Sequence, residues 1–387
     1  MILGIDGKPL LMQKTGIGTY TDRLLSTFCS FVPNLRFRVY LPFSLGQLGR
    51  EARNFREALQ RQYGERVTFI GSSFPPKLRR WIWQSSDFMP VEGIIGEVDL
   101  YHGTNLVMPP LSRAKGVLTL YDLTFLLLPE YHVRGMKSFA CHTKRYAERA
   151  DGLIAISEQT RQDAIEHLGI PPERIRVTLL AADERYRVLE DRQAVAAVSA
   201  RYGIDREFIL YTGTLEPRKN VPALVRAFHR LKRETKLPHK LVLAGKKGWL
   251  YEDIFAEVRT LGVEHDVIFT GYVPDEDLPV LYNGASLFAY PSFYEGFGLP
   301  PLEAMACGCP VVTSNTSSLP EVVGDAGIMV DPRQPDALAD AMARVLGDSE
   351  LATDMRIRGL ARAATFSWER CSRETLSLYQ DLTGKSL

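Results

Sequence analysis

The chain has 387 residues, of which 45% are hydrophobic and 24% charged, with a formal net charge of +1. That length exceeds one ordinary core and predicts two or three domains. The composition excludes a disordered, collagen-like or disulfide-scaffolded chain. The chain opens on MILGID, an apolar strand-like stretch with no basic region and no cleavage site, so no secretory signal is expected. No apolar run approaches the roughly 18 residues of a membrane-spanning helix. FRVYLPF, VTFIG, VDLYHG, GVLTLYD, GLIAIS and RIRVTLL follow as predicted strands, with GTYTDRLLSTF and SEQTRQDAIEHLG as helices between them. The second of these helices carries Ser157 as its N-cap and Glu158 in its first turn. It ends at Gly169, ahead of Pro171 and Pro172.

After a polar stretch, AADERYRVLEDRQ, the same grammar restarts with FILYTGT, KLVLAGK, VIFTG, SLFAYPS, PVVTS and GIMVDP. VPALVRAFHRLKRE and PDALADAMARVLGD are its helices, the first with Val221, Leu224, Val225, Phe228 and Leu231 at helical spacing. Short apolar strands alternating with helices predict an α/β chain of two doubly wound, Rossmann-like parallel sheets. The domains are placed at residues 1–185 and 186–366, with a link running to about residue 205 and an amphipathic C-terminal helix at 367–387 that either stands alone or crosses back to the first domain. Two such domains facing each other would set a cleft at the carboxyl ends of both sheets, where ligands bind in these folds.

Five cysteines, at 29, 141, 307, 309 and 371, sit in apolar or small-residue surroundings and read as reduced, buried thiols of a cytosolic chain. Cys307 and Cys309 have no second Cys/His pair nearby and read as packing. Charge is uneven. Residues 1–185 hold 24 Lys+Arg against 19 Asp+Glu, and the first 85 hold 13 against 5, which points the front half toward something anionic.

Two stretches carry the chemistry. In ILYTGTLEPRKN, residues 209–220, a buried strand delivers Arg218 and Lys219 just before a helix N-terminus. Such a loop is either a diphosphate cradle or a solvated cationic turn. In FYEGFGLPPLEAMACGCPVV, residues 293–312, Glu295 and Glu303 flank a GFG turn that feeds a helix through Pro300 and Pro301. The amides of Gly298 and Leu299 would face outward there, ready for an anion or for sugar hydroxyls. An acid near a helix N-terminus is also ordinary electrostatics, worth about 0.3–1 kcal/mol, which accounts for Glu303 but not for both acids and both glycines together. Asp275, Glu276 and Asp277 imitate a D-x-D metal motif, but their place directly before LPVLYNGA reads as helix capping. On the acceptor side, LGQLGREARNFREALQRQYGER (45–66) mixes Leu48, Phe55, Leu59 and Tyr63 with Arg50, Arg53, Arg56 and Arg61, and PPKLRRWIWQ (75–84) adds three cations and two tryptophans. The pattern is either a surface for anionic lipid or a solvated helix beside a packed tryptophan pair.

The spacing from Glu295 to Glu303 resembles the E-x7-E motif of the retaining glycosyltransferases of family 4, which have the GT-B fold. The resemblance spans nearly the whole chain: TGIGTYT, YHGTN at 101–105, GTLEPRKN, GYVPDEDLPVLY at 271–282 and the block from PSFYEGFG to VVGDAG. It implies hexosyl transfer with retention, from a nucleotide diphosphate sugar and without a metal or other cofactor. GDP-mannose is the implied donor. The implied acceptor is lipid-linked or a saccharide, in surface polysaccharide or O-antigen assembly. No nucleic-acid partner is expected, and the chain is expected in the cytoplasm, peripheral at the inner membrane face.

By the same resemblance Glu303 holds the donor ribose. Glu295, with Gly296, Phe297, Gly298 and Leu299, surrounds the hexose and diphosphate. Arg218 and Lys219 neutralise the leaving group. Gly16 and Gly18 approach the donor phosphate, and Val273, next to Tyr272, meets the base. Thr214 stands where many relatives have an Arg, and Tyr121 where they carry a His before Asp122. A tyrosine donates a hydrogen bond but does not take up a proton near pH 7. Asp122 and Glu295 are the nucleophile candidates if a covalent intermediate forms. His102 is read either as an acceptor-side residue, with Tyr121, or as a satisfied core side chain. A sugar-nucleotide epimerase and a non-catalytic nucleotide-sugar binder share this architecture and stay open as alternatives.

Overall fold

The structure is a computed structural model that describes residues 1–11, 16–42, 50–72, 74–132 and 136–386, with backbone alone at 50–56 and 136–141. The predicted strands all form: β1 (Ile2–Asp6), β2 (Arg36–Leu41), β3 (Val67–Gly71), β4 (Leu100–Gly103), β5 (Lys115–Leu120), β6 (Gly152–Ala155), β7 (Ile175–Val177), β8 (Phe208–Thr212), β9 (Lys240–Ala244), β10 (Val267–Gly271), β11 (Leu287–Tyr290), β12 (Val311–Ser314) and β13 (Ile328–Val330). They build two parallel sheets, ordered β3-β2-β1-β4-β5-β6-β7 and β10-β9-β8-β11-β12-β13. Every residue of β4, β6, β8, β11 and β12 is buried. Helices cover both faces of such a sheet, so its strands read as continuous apolar runs without alternation. In each sheet the order reverses beside the first strand, between β1 and β4 and between β8 and β11. Those reversals are the switch points at which loops part and open sheets bind ligands.

The chain divides into two compact units, one of Met1–Leu127, Arg134–Leu180 and Trp368–Leu387, the other of Leu128–Val133 and Ala181–Ser367. The crossover at 180/181 falls at the start of the polar stretch, a few residues ahead of the expected boundary at 185. The short excursion at 128–133 has no pattern in the sequence. It is held in unit 2 by ring stacking of Tyr131 on Phe293 at 5.3 Å and by Trp249, whose indole N–H donates to the Tyr131 carbonyl at 2.6 Å. No helix among the described residues is long and apolar enough to cross a membrane.

The last helix, Trp368–Thr383, packs in unit 1 on the helix Gly16–Phe31 and on β5 and β6. A buried polar seam joins them. The Tyr379 hydroxyl lies 2.6 Å from His102 Nδ1, His102 Nε2 lies 2.7 Å from Thr119 Oγ1, and the Tyr20 hydroxyl meets the same Thr119 oxygen at 3.1 Å. His102 is fully buried with both ring nitrogens bonded, so it is a core side chain and not an acceptor contact. Burial pushes its pKa down to about 3.

A histidine depressed in the folded state stays neutral while the unfolded chain takes up a proton below about pH 6.5. Stability from His102 is therefore complete above that pH and is lost as pH falls from 6.5 toward 3. Its expected slope is about 1.4 kcal/mol per pH unit. Urea denaturation across this range should show that component in the wild type and lose it in His102→Gln.

Candidate active site

At the switch point of unit 2, β8 delivers the loop Gly213–Asn220 and β11 delivers Pro291–Gly298. The first loop is fastened sideways to the loop after β9. Gly213 N–H donates to Ala244 O at 2.9 Å, Leu215 N–H to Lys246 O at 2.9 Å, and Gly248 N–H to Leu215 O at 3.0 Å. This approach leaves no room for side chains: a Cβ at Gly245 would lie 1.8 Å from the Gly213 carbonyl oxygen. Asn220, held in the left-handed region at φ 55°, closes the first loop onto the second unit of chain around it. Its amide donates to Pro291 O at 3.1 Å and to Pro332 O at 2.7 Å. Phe293 N–H returns a bond to Arg218 O at 2.9 Å.

The side chains carried by these loops form one ion-pair chain. Lys219 Nζ meets Glu295 Oε1 at 2.7 Å and the Tyr290 hydroxyl at 2.6 Å. Arg218 meets Glu295 Oε2 at 3.1 Å and Glu216 Oε1 at 2.8 Å, and donates to Tyr294 O at 2.5 Å. All four charged side chains are at most 12% exposed. Burial works against ionised Glu295, but Arg218 and Lys219 outweigh it and hold its carboxyl down to about 2. Burial, and then Arg218, depress the Lys219 pKa, while Glu295 works to raise it. The two cations are thus matched by two carboxylates, so the cationic load expected of Arg218 and Lys219 is locally balanced.

Gly298, at φ 110°, caps the helix Leu299–Ala306, with Pro300 and Pro301 in its first turn. The GFG turn is clamped from β12's loop. Ser318 Oγ donates to Glu295 O at 2.9 Å and to Phe297 O at 2.6 Å, and Glu295 N–H donates to Ser317 Oγ at 2.9 Å. Glu303, on that helix, accepts from the Tyr282 hydroxyl at 3.1 Å, and Tyr282 in turn meets Thr212 Oγ1 at 2.6 Å. Burial pushes Glu303 up to about 7, against the pull of the Tyr282 and Tyr186 hydroxyls and with help from Asp183 and Asp275. Glu295 and Glu303 are therefore electrostatic opposites, one locked as a carboxylate and one poised to gain or lose a proton.

The remaining site residues make other contacts. Thr214 offers its carbonyl to the Tyr211 hydroxyl at 3.4 Å. Val273 is buried beside the exposed Tyr272. In unit 1, Gly16 and Gly18 open the helix Gly16–Phe31. The Tyr121 hydroxyl is buried and donates to Thr104 O at 2.7 Å, with burial raising its pKa. Asp122 Oδ1 accepts from the Thr124 amide at 3.0 Å and the Thr124 hydroxyl at 2.6 Å, capping the turn Thr124–Leu127.

Several expectations need correction. Asp277 stands at the N-cap position, but its side chain makes no capping bond. Its carboxylate takes Arg201 at 2.6 Å and Tyr202 at 2.5 Å, and Asp275 pairs with Arg185 at 3.3 Å. Leu59 and Tyr63 face inward rather than toward lipid, the Tyr63 ring tilted against that of Phe69 at 6.1 Å. Leu48 lies outside the described residues, as do the side chains of Arg50, Arg53, Phe55 and Arg56. The two tryptophans do not pack as a pair, for Trp83 is buried and Trp81 is 61% exposed.

Sequence reasoning passed over Glu216, Ser317, Ser318, Tyr282 and Tyr290. All five stood inside quoted stretches, Tyr282 at the end of GYVPDEDLPVLY and Tyr290 in SLFAYPS, but side chains that hold other side chains leave no signature in spacing.

Two doubly wound parallel units, of seven and six strands, are the architecture of the GT-B glycosyltransferases. The structure of a glycosyltransferase from Rickettsia africae superposes with a TM-score of 0.73 at 15% identity, covering 100% of this chain and 99% of that one. Residues 198–362 match the family model described as Glycosyl transferases group 1. The chain is 38% identical to O-antigen chain mannosyltransferase B of Escherichia coli, over 96% of this chain and 98% of that protein. It is 35% identical to the serotype-specific mannosyltransferase WbdA of Escherichia coli over 66% of this chain, which spans 32% of that longer protein. The chain belongs to the group 1 glycosyl transferases.

Asn220→Ala removes two buried amide bonds and leaves the Pro291 and Pro332 carbonyls without their donor. It is expected to cost about 2–4 kcal/mol of unfolding free energy in denaturant titration.

Proposed function

We propose that the protein transfers a mannosyl residue, with retention, from GDP-mannose or a similar nucleotide diphosphate sugar to a lipid-linked or saccharide acceptor of surface polysaccharide synthesis. The observation that carries the proposal is the buried Glu216–Arg218–Glu295–Lys219 chain at the switch point, beside the Gly298-capped helix. The 38% identity to an O-antigen chain mannosyltransferase over nearly the whole chain supports the choice of sugar and pathway class.

In this scheme Arg218, Lys219 and the amides around Gly298 take up the negative charge that grows on the departing diphosphate. Groups already fixed in place stabilise such charge without reorganising, which makes this the main source of acceleration. Glu303 accepts the donor's ribose hydroxyls, and Val273 lies by the base. Gly16 and Gly18 serve the donor phosphate. Glu295, already ionised and locked by two cations, orients the hexose. If the reaction passes through a covalent glycosyl-enzyme, Glu295 or Asp122 is its nucleophile, and trapping that adduct identifies which. The Tyr121 hydroxyl, spent on Thr104, acts as a brace. Lys77 and Arg80, with the exposed Leu78, Trp81 and Phe88 beside them, favour contact with an anionic membrane face.

The donor screen separates the alternatives. Nucleoside diphosphate release that requires both the nucleotide sugar and an acceptor supports transfer. Release of a changed sugar without acceptor would replace it with an epimerase, and binding with no turnover with a non-catalytic binder.

Glu303 supplies a second test. A carboxylate accepts two ribose hydroxyls, whereas its protonated form must donate, so the donor binds the ionised form. With Glu303 near 7 in the free protein, affinity for GDP-mannose should rise about tenfold from pH 6 to pH 8, with proton release on binding. The nucleotide sugar has no phosphate titrating in that range. Calorimetry in two buffers reads the proton. Glu303→Gln should bind more weakly and without the pH dependence, and an unchanged profile in that variant sinks the ribose assignment.

A further inference from the structure

Unit 1 holds a second buried arginine whose surroundings differ from those of its neighbours. Arg79, in the helix Pro76–Ser85 that follows β3, is 3% exposed. Its guanidinium carbon lies 5.0 Å from the centre of the Tyr40 ring and 5.3 Å from that of Trp83. Those ring centres are themselves 6.1 Å apart, so the group rests in the notch between them. A guanidinium carries five N–H donors. One of these, on Nη1, reaches a protein acceptor, the Phe74 carbonyl at 3.3 Å. Among the described residues Arg79 forms no ion pair within 4.0 Å.

Arg149, on a neighbouring helix, shows what a structural arginine looks like here. It reaches Met108 O at 2.8 Å, Trp83 O at 3.1 Å, Ser86 O at 3.5 Å and Asp87 at 2.6 Å. A guanidinium buried without an anion costs several kcal/mol, and removing its partner is what makes a buried pair expensive. The polar atoms around Arg79 are lightly used. The Tyr40 hydroxyl, in β2, is buried near Ser72 and makes no hydrogen bond of ordinary geometry. Asp6, the last residue of β1, gives Oδ1 to the Lys8 amide at 3.0 Å, and burial still pushes its pKa up to about 6. Arg79 therefore does not hold Asp6 as a paired carboxylate. Tyr40, Asp6 and Arg79 gather at the carboxyl ends of β1 and β2 and after β3, the edge at which such sheets receive ligands.

The outer face of the same helix indicates the ligand's carrier. Lys77 and Arg80 are exposed there, with Leu78 at 46% and Trp81 at 61%, and Phe88 just beyond the helix at 73%. Cations beside exposed aromatic and aliphatic side chains match the boundary between anionic headgroups and acyl chains.

We propose that Arg79 and Tyr40 form a site for a phosphoryl oxyanion borne by a lipid-linked acceptor. The guanidinium edge and the tyrosine hydroxyl donate to its oxygens, while the rings hold the guanidinium plane. The identity of the bearer as the acceptor rests on the transferase reading above; the oxyanion chemistry does not.

The test uses the full chain with GDP at saturation, so that Arg218 and Lys219 are occupied, and follows geranyl diphosphate, geraniol and inorganic pyrophosphate by calorimetry. Wild type is expected to bind geranyl diphosphate and not geraniol. Charge-assisted hydrogen bonds of this kind predict at least about tenfold weaker binding in Arg79→Met, about threefold in Tyr40→Phe and an intermediate loss in Arg79→Lys. GDP affinity should be unchanged in all three. Unchanged geranyl diphosphate binding in Arg79→Met with intact GDP binding overturns the site, as does equal binding of geraniol. Pyrophosphate binding as tight as geranyl diphosphate overturns the lipid carrier. If Arg79→Met also loses GDP, the fold has been damaged, and Tyr40→Phe and Arg79→Lys decide. Failure of wild type to bind GDP removes the donor reading, while Arg79-dependent binding of geranyl diphosphate still supports the site.

Discussion

The arrangement of unit 2 depends on a buried ion-pair chain whose charges cancel: Glu216, Arg218, Glu295 and Lys219. Each of these groups alone would be costly to bury, and pairing makes the set tolerable without making it a source of much stability. What the set provides is position. Arg218 is held by Glu216, Glu295 and the Tyr294 carbonyl, so its guanidinium is fixed before any ligand arrives. The set is neutral as a whole, so Arg218 and Lys219 are held in one arrangement without leaving a bare charge in the core.

The backbone around that chain is built to the same end. Asn220 spans the loops after β8 and β11, and Ser317 and Ser318 clamp the GFG turn from a third loop. Gly213 and Gly245 let the loops after β8 and β9 touch. Loops at strand ends are usually the mobile part of a doubly wound domain, and here cross-loop hydrogen bonds make them a platform. Glu303 departs from this pattern. Buried beside Tyr282 and Tyr186 and within reach of the charges of Asp183 and Asp275, it keeps a raised pKa where Glu295 keeps a lowered one.

The strands were legible because both faces of each sheet are covered, which turns every strand into a short apolar run with no competing period. The GFG turn and the helix after it were legible because a positive-φ glycine and a proline in the first turn are what the backbone needs there, and Glu295 and Glu303 were legible through the resemblance of their spacing to a family motif. Partnerships across the chain were not. His102 sits in YHGTN like a site residue, and only Tyr379, 277 positions later, makes it a core histidine. Asp277 looked like a cap because local sequence favours one, but Arg201 and Tyr202 supply donors from a helix that no spacing rule connects to it. Pattern registers what the backbone needs nearby; it does not register which distant side chain will claim a carboxylate.

Arg79 and Arg218 make the same point in opposite senses. Both are buried, both follow a strand at the ligand-receiving edge of a parallel sheet, and both lie against aromatic neighbours or a tyrosine carbonyl. Arg218 has two carboxylates within 3.1 Å and works within a neutral cluster. Arg79 has one carbonyl at 3.3 Å and two ring faces. Ring faces attract a cation without using its N–H groups, so the donors of Arg79 remain for another acceptor. A protein that neutralises one buried guanidinium with two acids and leaves another unneutralised has assigned them different work. Arg218 is fixed by acids on the protein itself, whereas under the proposal above the donors of Arg79 are completed by an anion brought from outside.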